Sequence, residues 1–285
     1  MLTLYGNGFS PFSRKVQIVL EHKGIEYEMV DALSRGNHDK LAAVNKRLEV
    51  PAIDHDGLVV VNSADIVAYL ERVFPERPVY PSDLEGWVRA RAWERCSDSV
   101  VDPILVDISY WVWAIRQDTM PEGLLDAARA DLTAIYDALD HELEGRDWIC
   151  GGLSIADMAL FPHLSGTRLL QVPIDESRHP NLLSWYKRAR GEKIFADDVA
   201  RTKAYLAVPA AMTSSVKRSS GGAIGSSGSS PAATTSGSST RSERAGCCGP
   251  TWGSPDEWDR RCDLCRGRCV ISGGWGPGTC PLVVE

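Results

Sequence analysis

The sequence lacks both an excess of basic charge and any long apolar segment. Its 285 residues carry 31 Lys and Arg against 38 Asp and Glu, a formal net charge of −7. A negative balance does not favour nucleic-acid binding through neutralised phosphates. No apolar run approaches the roughly 20 residues of a membrane-spanning helix, and no basic and then apolar leader opens the chain. We therefore expect a cytoplasmic protein with neither a nucleic-acid nor a membrane partner.

Cysteine is scarce in the first 208 residues, which contain only Cys96 and Cys150. Their wide separation favours core thiols over catalytic ones. The other six cysteines follow residues 209–246, where Ser, Gly, Ala and Thr dominate and predict a flexible, disordered linker. A Cys-x-x-Cys pair at 262–265 leaves a zinc or redox site open as an alternative. Because the tail has no His and no second such pair, we predict that residues 247–285 are disordered and bind no metal.

The most informative segment begins the first predicted helix. A short strand at residues 2–5 leads into Ser10, a residue type favoured as an N-cap, and Pro11, which suits the first helical position. Apolar residues from Val16 to Leu20 follow at helical spacing. A capped helix N-terminus that follows a strand can hold an anion such as a thiolate through free backbone N–H groups and the helix dipole.

Two later segments complete a small α/β unit. Val50 precedes Pro51, and this bond is a candidate for the cis form at the start of a strand. The turn at residues 55–57 predicts an antiparallel hairpin. A helix then begins at Asn62 or Ser63, with Asp65 three residues later placed to complete a capping arrangement.

The second half of the chain is predicted to be helical. Apolar residues between 125 and 143 recur at alternating spacings of three and four, which indicates an amphipathic helix. Residues 85–116 carry another long helical pattern, with a kink expected at Pro103. Ser154 and Asp157 form a capping box before an apolar run, a feature of helix stability rather than chemistry.

Taken together, the segments at 10–12, 50–51, 62–63, 148–157 and 179–188 resemble, in this order, those of the cytosolic glutathione S-transferase family, of a serine-type, bacterial-like kind. The resemblance covers roughly residues 1–205. It implies an α/β N-terminal thioredoxin-like domain at 1–78 that binds glutathione, and an all-α C-terminal domain at 85–208. It also implies a homodimer.

The resemblance implies that Ser10 is the catalytic residue, with Ser13 as the second choice. Thioredoxin-like reductases need a Cys-x-x-Cys pair at this helix start, where the present chain has two serines. A serine cannot form a mixed disulfide. Its hydroxyl can donate a hydrogen bond to the sulfur of bound glutathione and so favour the thiolate as nucleophile.

The resemblance also implies the glutathione contacts. The backbone of Val50, exposed by Pro51, would pair with the cysteinyl part of the tripeptide like an added strand. Ser63 would hold the γ-glutamyl carboxylate at its helix N-terminus. The chain departs from the family at Asn62, where a Glu is usual, so the amide brings no negative charge for the ammonium group. Lys46 or Arg47 would pair with the glycyl carboxylate.

The expected function is attack of the glutathione thiolate on a small hydrophobic electrophile. The pocket for this electrophile is expected to be lined by Phe12 of the first helix and by residues of the long helical pattern at 85–116. These are the aromatic residues Tyr110, Trp111 and Trp113 and the basic residue Arg116. The alternative is a non-catalytic adaptor of the same fold, which the departure at Asn62 keeps open.

Overall fold

The computed structural model of the chain describes residues 1–34, 36–113 and 118–207. The first elements in chain order are β1 (Leu2–Gly6), α1 (Pro11–Lys23), β2 (Glu28–Asp31), α2 (His38–Val44), β3 (Ala52–His55), β4 (Leu58–Val61) and α3 (Ser63–Val73). They are followed by α4 (Leu84–Cys96), a π-helical segment (Ser97–Val101), α5 (Asp102–Val112), α6 (Leu124–Glu142), α7 (Ile155–Leu164), α8 (Pro180–Gly191) and α9 (Lys193–Ala207). The linker and Cys-rich tail predicted after residue 208 lie outside the described residues.

The four strands form one mixed sheet in the order β2-β1-β3-β4. β1 pairs in parallel with β2 and antiparallel with β3, and β3 pairs antiparallel with β4 through the predicted hairpin turn. Asp56 and Gly57 both have positive φ in this turn, as a tight hairpin requires. The crossover from β1 to β2 passes through α1, so the start of α1 lies at the end of the central strand β1.

The start of α1 follows the sequence expectation. Ser10 is the N-cap, its side chain accepts from the N–H of Ser13, and Pro11 is the first helical residue. Gly24 ends the helix in the left-handed conformation, which glycine adopts at little steric cost. Most of α1 is buried, because α7, α3 and α9 pack against it.

The long helical stretch contains one irregular segment. α4 continues into the π-helical segment, in which the N–H of Asp102 donates to the carbonyl of Ser97. α5 begins there, with Pro103 in its first turn, where a missing N–H interrupts no helical hydrogen bond. The kink expected at Pro103 thus takes the form of one wide turn just before it. No helix in the described part of the chain is both long and apolar enough to span a membrane.

The capping box predicted at Ser154 and Asp157 is present at the start of α7. The Asp157 carboxylate is buried and accepts hydrogen bonds from the N–H groups of Ile149 and Ser154 and from Nε1 of Trp185. It therefore joins α7 to the preceding loop and to α8. Its role is structural, because all its contacts are internal.

Two buried ion pairs fix α1 against the helical part of the chain. Arg14 lies 2.6 Å from Asp198 of α9 and also donates to the carbonyl of Pro162. Lys15 lies 2.6 Å from Asp98 and 3.4 Å from Glu94, on the long helical stretch. Because both cations follow the N-cap closely, these pairs set the position of the α1 N-terminus relative to α4, the π-helical segment and α9.

Candidate functional site

The loop between β1 and α1 is held by its own side chains. Oδ1 of Asn7 accepts from the N–H groups of Phe9 (2.8 Å) and Ser10 (2.6 Å), which turns the chain into the helix. Gly8 packs against α9, where a Cβ atom would lie 2.9 Å from the Tyr205 side chain. A larger residue than glycine would therefore displace either the loop or the end of α9. These contacts fix the position of Ser10.

The two candidate serines differ in access. Ser13 is fully buried, and its Oγ lies 3.4 Å from the N–H of Asn7, from which it accepts. Ser10 is half-buried, with its Oγ 3.4 Å from the N–H of Ser13. A hydroxyl can accept one hydrogen bond and still donate another. Only Ser10 of the two can therefore offer its O–H to a molecule that enters from solvent.

An open cleft of about 800 Å³ lies beside this loop. Its lining includes Phe12, Val50, Pro51 and Ser63, together with part of α4. The bond between Val50 and Pro51 is cis, as the sequence suggested. Within the described residues, neither the N–H nor the C=O of Val50 takes part in a hydrogen bond. This backbone is thus free to pair with an extended peptide, as a sheet edge pairs with an added strand.

The start of α3 departs from the expected capping arrangement. Asn62 is the N-cap, yet its side chain makes no capping hydrogen bond, and its φ is 68°. Its amide nitrogen instead donates to Oδ2 of Asp65 at 3.1 Å. Asp65 was therefore wrongly predicted to complete the cap: its carboxylate lies at the cleft wall beside Asn62. Ser63 is buried at the first helical position, where α3 directs free N–H groups outward.

Of the two basic residues predicted for the glycyl carboxylate, Arg47 has defined partners. It donates to Oδ1 of Asn62 at 3.0 Å and pairs with Glu49 at 2.9 Å, with its side chain 58% exposed. Lys46 is exposed. Neither is among the residues that line the cleft, whereas Glu49 is.

The opposite wall of the cleft is charged, which the sequence reasoning did not foresee. Arg91, Glu94, Arg95 and Asp98 line it from α4 and the π-helical segment. Oε2 of Glu94 accepts from Arg91 at 2.8 Å, so this carboxylate is neutralised. Oδ1 of Asp98 is buried without a hydrogen-bond partner among the described residues. A wall with both signs of charge suits a zwitterionic ligand.

A second, smaller cavity of about 150 Å³ is lined by the residues on either side of Ser10 in the chain, whereas Ser10 itself is not among the lining residues of either cavity. Phe9 and Pro11 line it from the loop, and Trp113 lines it from the end of the long helical stretch. Phe9 and Trp113 meet edge to face, with ring centroids 4.9 Å apart. The remaining lining residues are largely apolar side chains of α5, the segment after α7, and α9, including Leu105, Val106, Leu169 and Leu206.

The structure separates the aromatic residues that were predicted for the electrophile pocket. Trp113 lines the small cavity and Phe12 lines the larger cleft. Tyr110 and Trp111 line neither, because helical spacing turns them away from the face that carries Ser109 and Trp113. Arg116 lies outside the described residues. Leu169 and Leu206 were missed, since only the tertiary fold brings these distant segments to the loop.

Cys150 is expected to react slowly with alkylating reagents. Burial raises the pKa of its thiol to about 11, so only about one molecule in a thousand is thiolate at pH 8. Timed labelling with iodoacetamide at pH 8, followed by peptide mass analysis, tests this. The same peptide labelled in denaturant serves as the control. Equal rates in the folded and unfolded chain would contradict a buried, inert thiol.

No group of three or more metal-ligating side chains occurs within residues 1–34, 36–113 and 118–207. The larger cleft offers a free backbone pair, a helix N-terminus and charges of both signs, which together fit a short peptide with a zwitterionic end.

Comparison with known proteins places the chain in a family. The model of the glutathione S-transferase N-terminal domain matches residues 4–78, and that of the C-terminal domain matches residues 122–188. A probable glutathione S-transferase GSTU6 of Oryza sativa subsp. japonica is 30% identical over 205 residues, which span 66% of this chain and 84% of the relative. The chain belongs to the glutathione S-transferase family.

Solved structures share the fold. The β-etherase LigF from Sphingobium sp. strain SYK-6 aligns with a TM-score of 0.62 at 23% identity, over 70% of this chain and 99% of that one. A glutathione S-transferase from Methylobacillus flagellatus with glutathione bound aligns with a TM-score of 0.60 at 24% identity, over 70% and 98%. These structural matches confirm the predicted fold class. The family models and the glutathione S-transferase relatives confirm the predictions of a glutathione S-transferase enzyme and of glutathione as its co-substrate.

Proposed function

We propose that the enzyme activates the glutathione thiol with the hydroxyl of Ser10, for attack on a small hydrophobic electrophile. The proposal is carried by the chain neighbours of Ser10, which line two different cavities. Phe12 lines the larger cleft, while Phe9 and Pro11 line the small apolar cavity. A sulfur atom held at Ser10 would therefore lie between a peptide-binding cleft and an apolar one, as transfer to an apolar acceptor requires.

The surroundings of Ser10 favour an anionic sulfur. The first turn of α1 has no acidic residue, so the free N–H groups and the helix dipole act on the sulfur without opposition. The hydroxyl of Ser10 donates to the sulfur while its oxygen accepts from the N–H of Ser13. Such a hydrogen bond lowers the thiol pKa by about one to two units. The thiol proton passes to solvent, and the thiolate then forms a carbon–sulfur bond with the electrophile.

Glutathione would lie along the larger cleft. The free backbone of Val50 pairs with its cysteinyl residue, and Ser63 with the α3 N-terminus holds the γ-glutamyl carboxylate. Asp65 supplies the negative charge that Asn62 lacks, since its carboxylate lies in the cleft and is oriented by the Asn62 amide. Arg47, which pairs with Glu49 at the exposed surface, is the residue proposed for the glycyl carboxylate.

Several finer assignments remain part of this proposal. They are the serine-type, bacterial-like subclass, the domain limits 1–78 and 85–208, a homodimer, and a cytoplasmic location. The electrophile would occupy the small cavity against Trp113. Addition and displacement reactions use the same thiolate, so both belong to the proposed activity.

Calorimetric titration with glutathione and with S-hexylglutathione tests the proposal. Saturable binding of both, tighter for the S-hexyl compound, is expected because the hexyl chain fills the cavity at Trp113. Trp113→Ala should remove the preference for the S-hexyl compound, whereas Tyr110→Ala, which alters a residue outside both cavities, should keep it. No binding of either compound would refute the proposal and favour the adaptor alternative.

Asp65→Asn is expected to weaken glutathione binding about tenfold, because a charge-assisted hydrogen bond to the ammonium group is lost. The measurement is calorimetry with glutathione and with glutaryl-cysteinyl-glycine, which lacks that ammonium group. The variant should bind the second compound as the unaltered chain does. Asp126→Asn is the matched control, since this exposed carboxylate lies in the first turn of α6. An equal loss for both compounds would contradict the assigned role.

A further inference from the structure

A third cavity adjoins the small one, with which it shares lining residues. This groove of about 610 Å³ is bounded by the end of α7, the segment that follows it, α8 and α9. Its lining is largely apolar and includes Ile174, Leu183, Tyr186 and Val199. We call it the α8–α9 groove.

The α8–α9 groove and the small cavity are continuous along their lining. Both are lined by Arg14, Ser165, Leu169, Thr202 and Leu206. Leu169 and Leu206 are 65% and 53% exposed, so the apolar surface shared by the two cavities is accessible to a ligand. An elongated molecule with one end at Trp113 could therefore extend past these two leucines into the groove.

The α8–α9 groove is basic in a chain that is acidic overall. Its lining carries Arg168, Lys187, Arg190 and Lys203, against one carboxylate, Glu176. Arg14 adds no free charge, because Asp198 neutralises it. Within the described residues, these four cations have no ion-pair partner, although Arg190 lies 5.9 Å from the centre of the Tyr186 ring. Such a set of cations favours an anionic group.

The small cavity has the opposite preference. Its acidic residue is Asp102, whose Oδ1 lies 3.1 Å from Nε2 of His163. Among the described residues that line this cavity, the one Arg or Lys side chain is Arg14, which Asp198 neutralises. An anionic end would be repelled there and attracted in the groove. The two cavities thus set one orientation, with the apolar end of a ligand near Ser10 and the anionic end away from it.

We propose that the preferred electrophile is an elongated apolar molecule with a carboxylate at the end remote from its reactive carbon. This inference rests on the proposed function and names its substrate class. The reactive carbon lies at the small cavity, and the carboxylate lies between Arg168 and Lys203. Arg168 directly precedes Leu169 in the chain, and Lys203 directly follows Thr202. Because Leu169 and Thr202 line both cavities, Arg168 and Lys203 lie where the groove meets the small cavity.

The test compares 11-bromoundecanoate with its methyl ester as substrates of the full-length protein in the presence of glutathione. In both, the glutathione thiolate attacks the carbon that bears bromine, a carbon–sulfur bond forms, and bromide leaves with the bonding electrons. The two compounds share the reactive end and the alkyl chain, and differ at the remote end, where the acid carries a negative charge and the ester an uncharged methyl ester group. The expected kcat/KM is about tenfold higher for the acid, as a carboxylate held by two cations at a partly exposed site should give. Added salt should reduce this ratio.

The double variant Arg168→Gln, Lys203→Gln should lower kcat/KM for the acid and leave kcat/KM for the ester unchanged. The ratio of the two kcat/KM values should therefore fall to about one. Arg72→Gln is the control, since Arg72 is exposed on α3 and lines neither cavity. Turnover of the uncharged 1-chloro-2,4-dinitrobenzene by the double variant should match that of the unaltered chain, which reports separately on the Ser10 chemistry.

Equal kcat/KM values for acid and ester in the unaltered chain would overturn the inference, and so would a double variant that slows both compounds alike. The inference would also be overturned if the chain turns over 1-chloro-2,4-dinitrobenzene with glutathione but consumes neither 11-bromoundecanoate nor its methyl ester. That result would leave the proposed function intact. Failure of the chain to bind glutathione would instead remove the proposed function itself.

Discussion

Replacing Asp198 with alanine is expected to lower the free energy of unfolding by about 3–5 kcal/mol. Arg14 directs Nε and one terminal nitrogen at this carboxylate, at 3.0 and 2.6 Å, and both side chains are at least 94% buried. Without Asp198 the guanidinium keeps its bonds to the Pro162 carbonyl and the Ser165 hydroxyl, but its charge stays buried and unpaired. Urea unfolding followed by tryptophan fluorescence gives the measurement.

The neighbouring residue provides a matched control. Asp197 pairs with Lys193, four residues earlier on the same helix, and is 43% exposed. Because exposed ion pairs contribute little, Asp197→Ala should cost less than about 1 kcal/mol. A pair of apolar residues, Arg14→Met with Asp198→Leu, should recover much of the loss, since no uncompensated charge remains. Similar losses for Asp197→Ala and Asp198→Ala would contradict the buried-charge argument.

Replacing Ser10 with alanine is expected to lower turnover about tenfold or more, because the bound thiol loses the hydrogen bond that lowers its pKa by one to two units. The effect should shrink as pH rises. At high pH the thiol ionises without help, and rates of the variant and the unaltered chain should converge. The measurement is the pH profile of kcat with 1-chloro-2,4-dinitrobenzene, together with the ultraviolet absorbance of the bound thiolate.

Two controls separate catalysis from stability. Ser10→Ala also removes an N-cap, worth about 1 kcal/mol. Asp83→Ala is the control for the lost cap. The Asp83 side chain caps α4 by accepting from the N–H of Gly86 at 2.7 Å, and its removal should leave turnover unchanged. Ser13→Ala alters a fully buried hydroxyl and should leave the thiol pKa unchanged. An unshifted pH profile in Ser10→Ala would move the catalytic role to backbone donors of α1.

Local signals predicted the supports of the site well. The N-cap at Ser10, the hairpin at residues 55–57 and the capping box at Ser154 depend on residues within a few positions of one another. Their chemistry is local, so the sequence carries it. Asp65 shows the limit of the same reasoning. Its spacing from Asn62 suits a capping box, yet Asn62 has a positive φ and its side-chain amide, rather than its backbone, donates to the Asp65 carboxylate at the cleft wall.

The walls of the two cavities could not be predicted in the same way. Helical periodicity does not tell which face of a long helix lines a pocket, so Tyr110 and Trp111 were chosen together with Trp113. Leu169 and Leu206 reach the cavity from segments more than 150 residues beyond the loop. Asp98 and Glu94 form ion pairs with Lys15, more than 75 residues earlier in the chain. No spacing pattern in the sequence predicts these contacts.

The sequence by itself determined the elements of the fold, the helix start at Ser10 and the absence of a cysteine from that position, because each depends on short-range backbone preferences and residue chemistry. Only the tertiary structure decided which side chains share a cavity, which charge is paired and which is free. Packing brings distant segments within a few ångströms, and burial then fixes the partners of Arg14 while it leaves Arg168 and Lys203 facing a groove.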